Sequence, residues 1–85
     1  MHKKYKYSYN ICNQPDKDLF ARQCKALEKH ISGLEKEPLL EDVDGSLYQR
    51  YHHKQGDMIV CNHEFVGALY IDSDFDIRPY FKKAR

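Results

Sequence analysis

The sequence predicts an α+β domain: one helix packed on a mainly antiparallel sheet of four to five strands, in the order β-α-β-β-β. Three observations carry this expectation. Residues 4–12, KYKYSYNIC, place Tyr5, Tyr7, Tyr9 and Ile11 on one side and Lys4, Lys6, Ser8 and Asn10 on the other, the period of a half-buried strand. Residues 19–34 switch to apolar spacings of three and four, the period of a core-facing helix. From residue 47 onward, short β-prone segments alternate with turn residues. With 85 residues, the chain supports a single domain, 1–85, with one helical layer on one sheet and no room for a second lobe or a deep cleft.

The first strand is stopped by NQPDKD, where Pro15 fits the first helical position and Asp16 and Asp18 suit the positive end of the helix dipole. The helix is expected over about residues 15–33, turning Phe20, Cys24, Leu27 and Ile31 to the core. Gly33 is its natural stop, and Pro38 bars continuation. Residues 35–46, EKEPLLEDVDGS, read as a surface connection pinned by Leu39 and Leu40 and closed by a turn at Asp44-Gly45. Strands follow in SLYQRYHH, DMIVCN and EFVGALYI, and FDIRPYF is either a fifth strand, placed at an edge by Pro79, or a bent continuation of the fourth.

Hairpin geometry then sorts the strand residues into two faces. A four-residue loop at 54–57 sets Tyr51 opposite Val60, and a two-residue loop at His63-Glu64 sets Val60 opposite Gly67. One face collects Leu47, Tyr51, Met58, Val60, Phe65, Leu69 and Ile71, ready for the helix. The other collects Tyr48, Arg50, His52, Ile59, Cys61, Val66, Ala68 and Tyr70, and is expected to be exposed because one helix covers only one face.

Composition narrows the function classes. A chain with 41% hydrophobic residues and 7 Tyr is too apolar and aromatic for a disordered segment. Three cysteines at wide spacing imply no disulfide framework, residues 1–6 do not resemble an apolar signal, and no apolar run approaches the roughly 20 residues of a membrane helix. The expectation is a soluble, cytoplasmic protein without membrane contact. Charge is uneven along the chain: residues 1–30 sum to +4, 31–77 to −7 and 78–85 to +4, giving a net +1. An acidic middle argues against a general nucleic-acid binder.

Metal and catalytic readings find little support. A calcium loop starting at Asp72 would need glycine where Ile77 stands and glutamate where Lys83 stands. Cys61, His63 and His52 could share a zinc, but their spacing is not that of a zinc motif, and Cys12 and Cys24 lie on other elements. A Cys61–histidine nucleophile would need a water-shielded cleft. No catalytic residue, cofactor or metal is therefore expected, and the chain reads as a non-enzyme. An alternative is a nucleic-acid-binding or regulatory module using Lys3, Lys4, Lys6 and the tyrosines, although lysines and tyrosines point to opposite sides of that strand. A third is self-association through a sheet edge.

The most distinctive stretch is YIDSDFDI, residues 70–77, where Asp72, Asp74 and Asp76 share one side of an extended chain. Carboxylates spaced about 7 Å apart repel by on the order of 1 to 1.5 kcal/mol in total before screening, so a positive group is expected nearby. It is either internal, with Arg78 or Arg50 as the candidates, or a basic partner meeting Asp72, Asp74 and Asp76 together with Tyr70, Tyr48 and Glu64. A small β-α-β-β-β domain with such an acidic, tyrosine-bearing face and no catalytic group resembles the immunity proteins of bacterial toxin–immunity pairs, such as those of contact-dependent inhibition systems. The resemblance implies a protein that binds and blocks a cognate toxin, often a nuclease with a basic active site, through those six residues and no metal or cofactor.

Overall fold

The structure, a computed structural model, describes residues 4–81. Lys3 of the nucleic-acid reading and the basic residues Lys82, Lys83 and Arg85 lie outside the described residues. The fold is α+β: β1 (Tyr7–Cys12), α1 (Lys17–His30), β2 (Glu35–Lys36), β3 (Leu40–Glu41), β4 (Leu47–His53), β5 (Gly56–His63), β6 (Ala68–Ser73) and α2 (Arg78–Phe81). The described strands form one six-stranded sheet in the order β1-β6-β5-β4-β2, with β3 also on the outer side of β4. All pairings are antiparallel.

Asp16, rather than Pro15, starts the helix. Its backbone is extended and its carboxylate accepts the Leu19 N–H at 3.0 Å, while its own N–H donates to the Asn62 side-chain oxygen at 2.8 Å. That second bond ties the helix start to β5. The helix ends at His30, short of Gly33, because Ile31 turns to extended backbone and drops its side chain into the core. Phe20, Cys24, Leu27 and Ile31 pack against Tyr51, Met58, Val60, Leu69 and Ile71 from the sheet.

One polar chain crosses this core. Tyr51 is fully buried, and its hydroxyl donates to Glu28 of α1 at 2.6 Å; Glu28 in turn pairs with Lys36 of β2 at 3.2 Å. Partial burial pushes the Glu28 carboxyl up, but the bonds from Tyr51 and Lys36 outweigh it and hold the group below its ordinary value. Burial, then the bond to Glu28, raises the Tyr51 hydroxyl far above the usual phenol range.

The surface connection at 35–46 is in fact an edge strand broken by Pro38. Glu35 and Lys36 pair with His52 and Tyr51, and Leu40 and Glu41 with Tyr48 and Leu47. Pro38 has no N–H for the ladder, so the pairing splits around it. The turn at Asp44-Gly45 is present: Gly45, at φ 92°, donates to the Asp42 carbonyl at 3.0 Å.

Both hairpin loops differ in length from expectation. Lys54-Gln55 is a two-residue turn, which sets Tyr51 opposite Met58, and 64–67 is a four-residue turn, which sets Val60 opposite Ile71. Both corrections move the register by an even number, so the two faces keep their assigned residues, except that Phe65 and Val66 leave the sheet for the turn and are 88% and 63% exposed.

The last segment is not a fifth strand. β6 stops at Ser73, yet the alternation persists: Ile71, Ser73, Phe75 and Ile77 are buried while Asp72, Asp74 and Asp76 are half-buried. Phe75 stacks on His53, Tyr80 packs edge-on to both rings, and Gln55 donates to the Tyr80 hydroxyl at 2.6 Å, so α2 closes that end of the core.

Two substitutions test this packing. Leu27→Ala, at a fully buried site, is expected to lower the unfolding free energy by about 2–5 kcal/mol in urea titration. Gly56→Ala is expected to lower it by about 1–3 kcal/mol, because Gly56 sits at φ 139° and an added Cβ would lie 2.5 Å from the Asp74 Cβ. An unchanged midpoint for Leu27→Ala would contradict the packing of α1 on the sheet, and one for Gly56→Ala the close approach of Asp74 to β5.

Candidate functional site

Since α1 covers one face of the sheet, the other is left open, and its register places two rows of side chains across it. The first row runs Leu40, Tyr48, Cys61, Tyr70 and Asn10; the second runs Arg50, Ile59, Asp72 and Ser8. The residues on central β5, Ile59 and Cys61, are short enough to be covered by their larger neighbours and are 8% and 4% exposed. The result is a shallow groove of about 430 Å³ along β5, floored by Ile59 and Cys61 and walled by Tyr48 and Arg50 on one side and Tyr70 and Asp72 on the other. Tyr5 joins it because the chain bends at Lys6, ahead of β1, and releases Tyr5 from the strand alternation. His63 closes one end, its ring edge-on to Tyr48 at 5.9 Å.

The groove's charges are unspent. Neither the Arg50 nor the Asp72 side chain has a hydrogen bond or ion pair among the described residues, although both stand on the same face two strands apart. Their backbones are about 9.6 Å apart, with Ile59 between them, and no contact joins the two side chains. Each is therefore available to a group brought from outside.

The three aspartates are not a continuous stripe. Asp72 belongs to the groove wall. Asp74 accepts the Asp57 N–H at 2.9 Å and donates its own N–H to the Asp57 carbonyl, continuing the β5 contact past the end of β6. Asp76 takes the Tyr9 hydroxyl at 2.8 Å and a two-pronged contact from Arg78 at 3.0 and 2.9 Å. Arg78, first, and Tyr9 hold the Asp76 carboxyl well below the usual carboxylate range. Of the sequence-predicted residues, then, Asp72, Tyr70 and Tyr48 come together, Glu64 lies outside the groove in the 64–67 turn against Gly45 and Ser46, and Asp74 and Asp76 are engaged at the other end.

The thiol and imidazoles do not converge. Burial pushes the Cys61 thiol up to about 12, so at neutral pH it is a packed, protonated group and not a nucleophile. His52 is held between the carboxylates of Glu37 and Asp57, the latter at 2.8 Å, and those bonds raise its pKa. His63 accepts the Val66 N–H at 3.3 Å. Among the described residues, no three His, Cys, Asp or Glu side chains are grouped as metal ligands, and no helix is long and apolar enough to cross a membrane.

No family model, curated protein or solved structure matches this chain. The site must be read from its own geometry.

The residues that sequence reasoning undervalued are Arg50 and Tyr5. Arg50 entered as one residue of the exposed face and as an internal partner for the aspartates, and the bend that turns Tyr5 toward the groove leaves no mark in an unbroken alternation of Lys and Tyr.

The Asp76 contacts give a pH-dependent expectation. A carboxyl whose pKa is lowered by folding stabilises the fold above its ordinary value, and that contribution is lost as pH falls through the folded value. Asp76→Asn is expected to be less stable than the wild type at pH 7, with the difference unchanged down to the ordinary carboxylate value and narrowing below it, as followed by thermal unfolding between pH 7 and pH 2. A variant equally stable at pH 7 would mean that Arg78 and Tyr9 do not hold this carboxylate in solution.

Proposed function

We propose that this chain is a protein-binding inhibitor of the immunity type, which docks and neutralises a cognate toxin, a nuclease by the charge it would have to meet. The observation that carries this reading is the groove on the open sheet face, with tyrosines on both walls and one unpaired charge of each sign. Tyrosine and arginine are the side chains that supply most binding energy at protein interfaces, since each combines a broad apolar area with a polar tip. A protein surface can offer an acid to Arg50 and a base to Asp72 at once, whereas a nucleic acid would set phosphates against Asp72 and Asp42. The acidic excess of residues 31–77 favours a basic partner and faster encounter with it.

Tyr5, Tyr48 and Tyr70 around one groove also suit base stacking, which keeps a single-stranded nucleic acid as the second reading. Co-expression with the product of the neighbouring reading frame separates the two. The expected outcome is rescue of growth from that product's toxicity and a stoichiometric complex in calorimetry. Tyr70→Ala is then expected to weaken the complex about tenfold or more, and Asp72→Asn to slow association and flatten its salt dependence. A harmless neighbour that does not bind overturns the reading. Binding of single-stranded RNA that weakens steeply with salt would replace it.

A further inference from the structure

The groove alone is too small for a stable complex. Ten residues line it, whereas a typical partner footprint takes roughly 20–30 residues and about 800 Å² on each side. The surface must therefore extend, and the exposed large apolar residues show in which direction. Five of the six, Leu39, Leu40, Val43, Phe65 and Val66, are 53%, 49%, 103%, 88% and 63% exposed and lie at the end of the sheet where β3 and β5 finish and β4 and β6 begin, whereas the sixth, Phe81, rests on the His30 ring. Two loops make this end, 42–46 and 64–67. They are joined: the Glu64 N–H donates to the Ser46 Oγ at 2.8 Å, and Ser46 is fully buried between them. The patch is also continuous with the groove, because Leu40, Asp42 and His63 line both.

Burying Phe65 and Val43 against a partner would remove apolar surface that nothing in the described chain covers. Around them stand Glu41, Asp42, Asp44 and Glu64, with no Lys or Arg anywhere in residues 37–49 or 55–77. That ring selects the occupant. A second copy would bring four like charges against four, an anionic membrane would repel the same carboxylates, and a polyanion would do worse. A basic protein surface with an apolar centre fits on both counts.

We infer that β3 with the paired loops 42–46 and 64–67 forms the anchoring half of the partner interface, with Phe65 and Val43 as apolar anchors inside an acidic rim that takes a basic protein. This rests on the protein-binding reading above and names where and how the partner is held. It also moves the acidic contact away from Asp74 and Asp76 to Glu41, Asp42, Asp44 and Glu64.

The test uses the full chain and the product of the neighbouring reading frame. Phe65→Ser with Val43→Ser is expected to leave thermal stability unchanged and to raise the dissociation rate of the complex about tenfold or more. Glu41→Gln with Asp44→Asn is expected to slow association and reduce its salt dependence. If the complex forms and both double variants bind with wild-type kinetics, the inference fails while the protein-binding reading stands. If the neighbour's product does not bind at all, both fall. Two controls decide against the chosen occupant: a wild-type dimer in sedimentation that Phe65→Ser dissolves would assign the patch to a second copy, and co-sedimentation with phosphatidylcholine–phosphatidylserine vesicles lost in the same variant would assign it to lipid.

Discussion

Everything in this fold follows from the burial of Leu27 and Ile31 of α1 against one face of the sheet. A helix about 10 Å across, facing strands about 4.8 Å apart, covers the central strands and little more. The described residues supply only one helix of that length, so none of them forms a layer on the opposite face. Ile59 and Cys61 are nevertheless nearly buried there, because Tyr48, Arg50, Tyr70 and Asp72 rise on either side of them. A sheet that cannot be covered thus makes its own shallow groove, and the aromatic side chains that shield its floor are the same ones a partner would touch. The Tyr51–Glu28–Lys36 chain helps to fix how the helix lies, since it joins β4, α1 and β2 through a tyrosine hydroxyl that burial cuts off from water.

Much of this architecture was legible in periodicity. Apolar spacing marked α1, and period-two alternation sorted Tyr51, Met58, Val60 and Ile71 from Tyr48, Cys61 and Tyr70 even though both hairpin registers were misplaced. The faces survived because turn lengths of two and four differ by an even number, and parity is all that face assignment requires. Edge pairing was hidden for a different reason: Pro38 reads as a breaker, and the pairs on either side of it, Glu35 to Lys36 and Leu40 to Glu41, are too short to show a period.

The aspartate run shows where alternation stops being informative. Burial alternates without interruption from Tyr70 to Ile77, as the sequence implies, but the three carboxylates meet three different environments. Asp74 fits only because Gly56, across the hairpin, has no Cβ, and Asp76 is drawn to Arg78 and to a tyrosine 67 positions away in sequence. Such partners are decided by the end of β6 at Ser73, where the chain leaves the ladder, and no local pattern marks that point. Only Asp72 remains on the sheet with its charge uncommitted.

The two ends of the sheet consequently differ in kind. At the end where β4 turns into β5, His53 accepts the Gln55 N–H at Nδ1, which leaves its Nε2 proton to the Ser32 carbonyl, while its ring stacks on Phe75. Gln55 holds Tyr80, and Asp74 is bound to Asp57, so these polar groups are matched within the fold. At the opposite end the loops are tied to each other through Ser46 but hold Val43, Phe65 and Val66 out in solvent. A turn can be rigid at its base and unpartnered at its tip, and that combination lowers the ordering cost of binding because the backbone is already in place. On the proposed reading, stability and recognition are thereby separated along the length of one small sheet: substitutions at the closed end would act on folding, and those at the open end on what the groove and its loops hold.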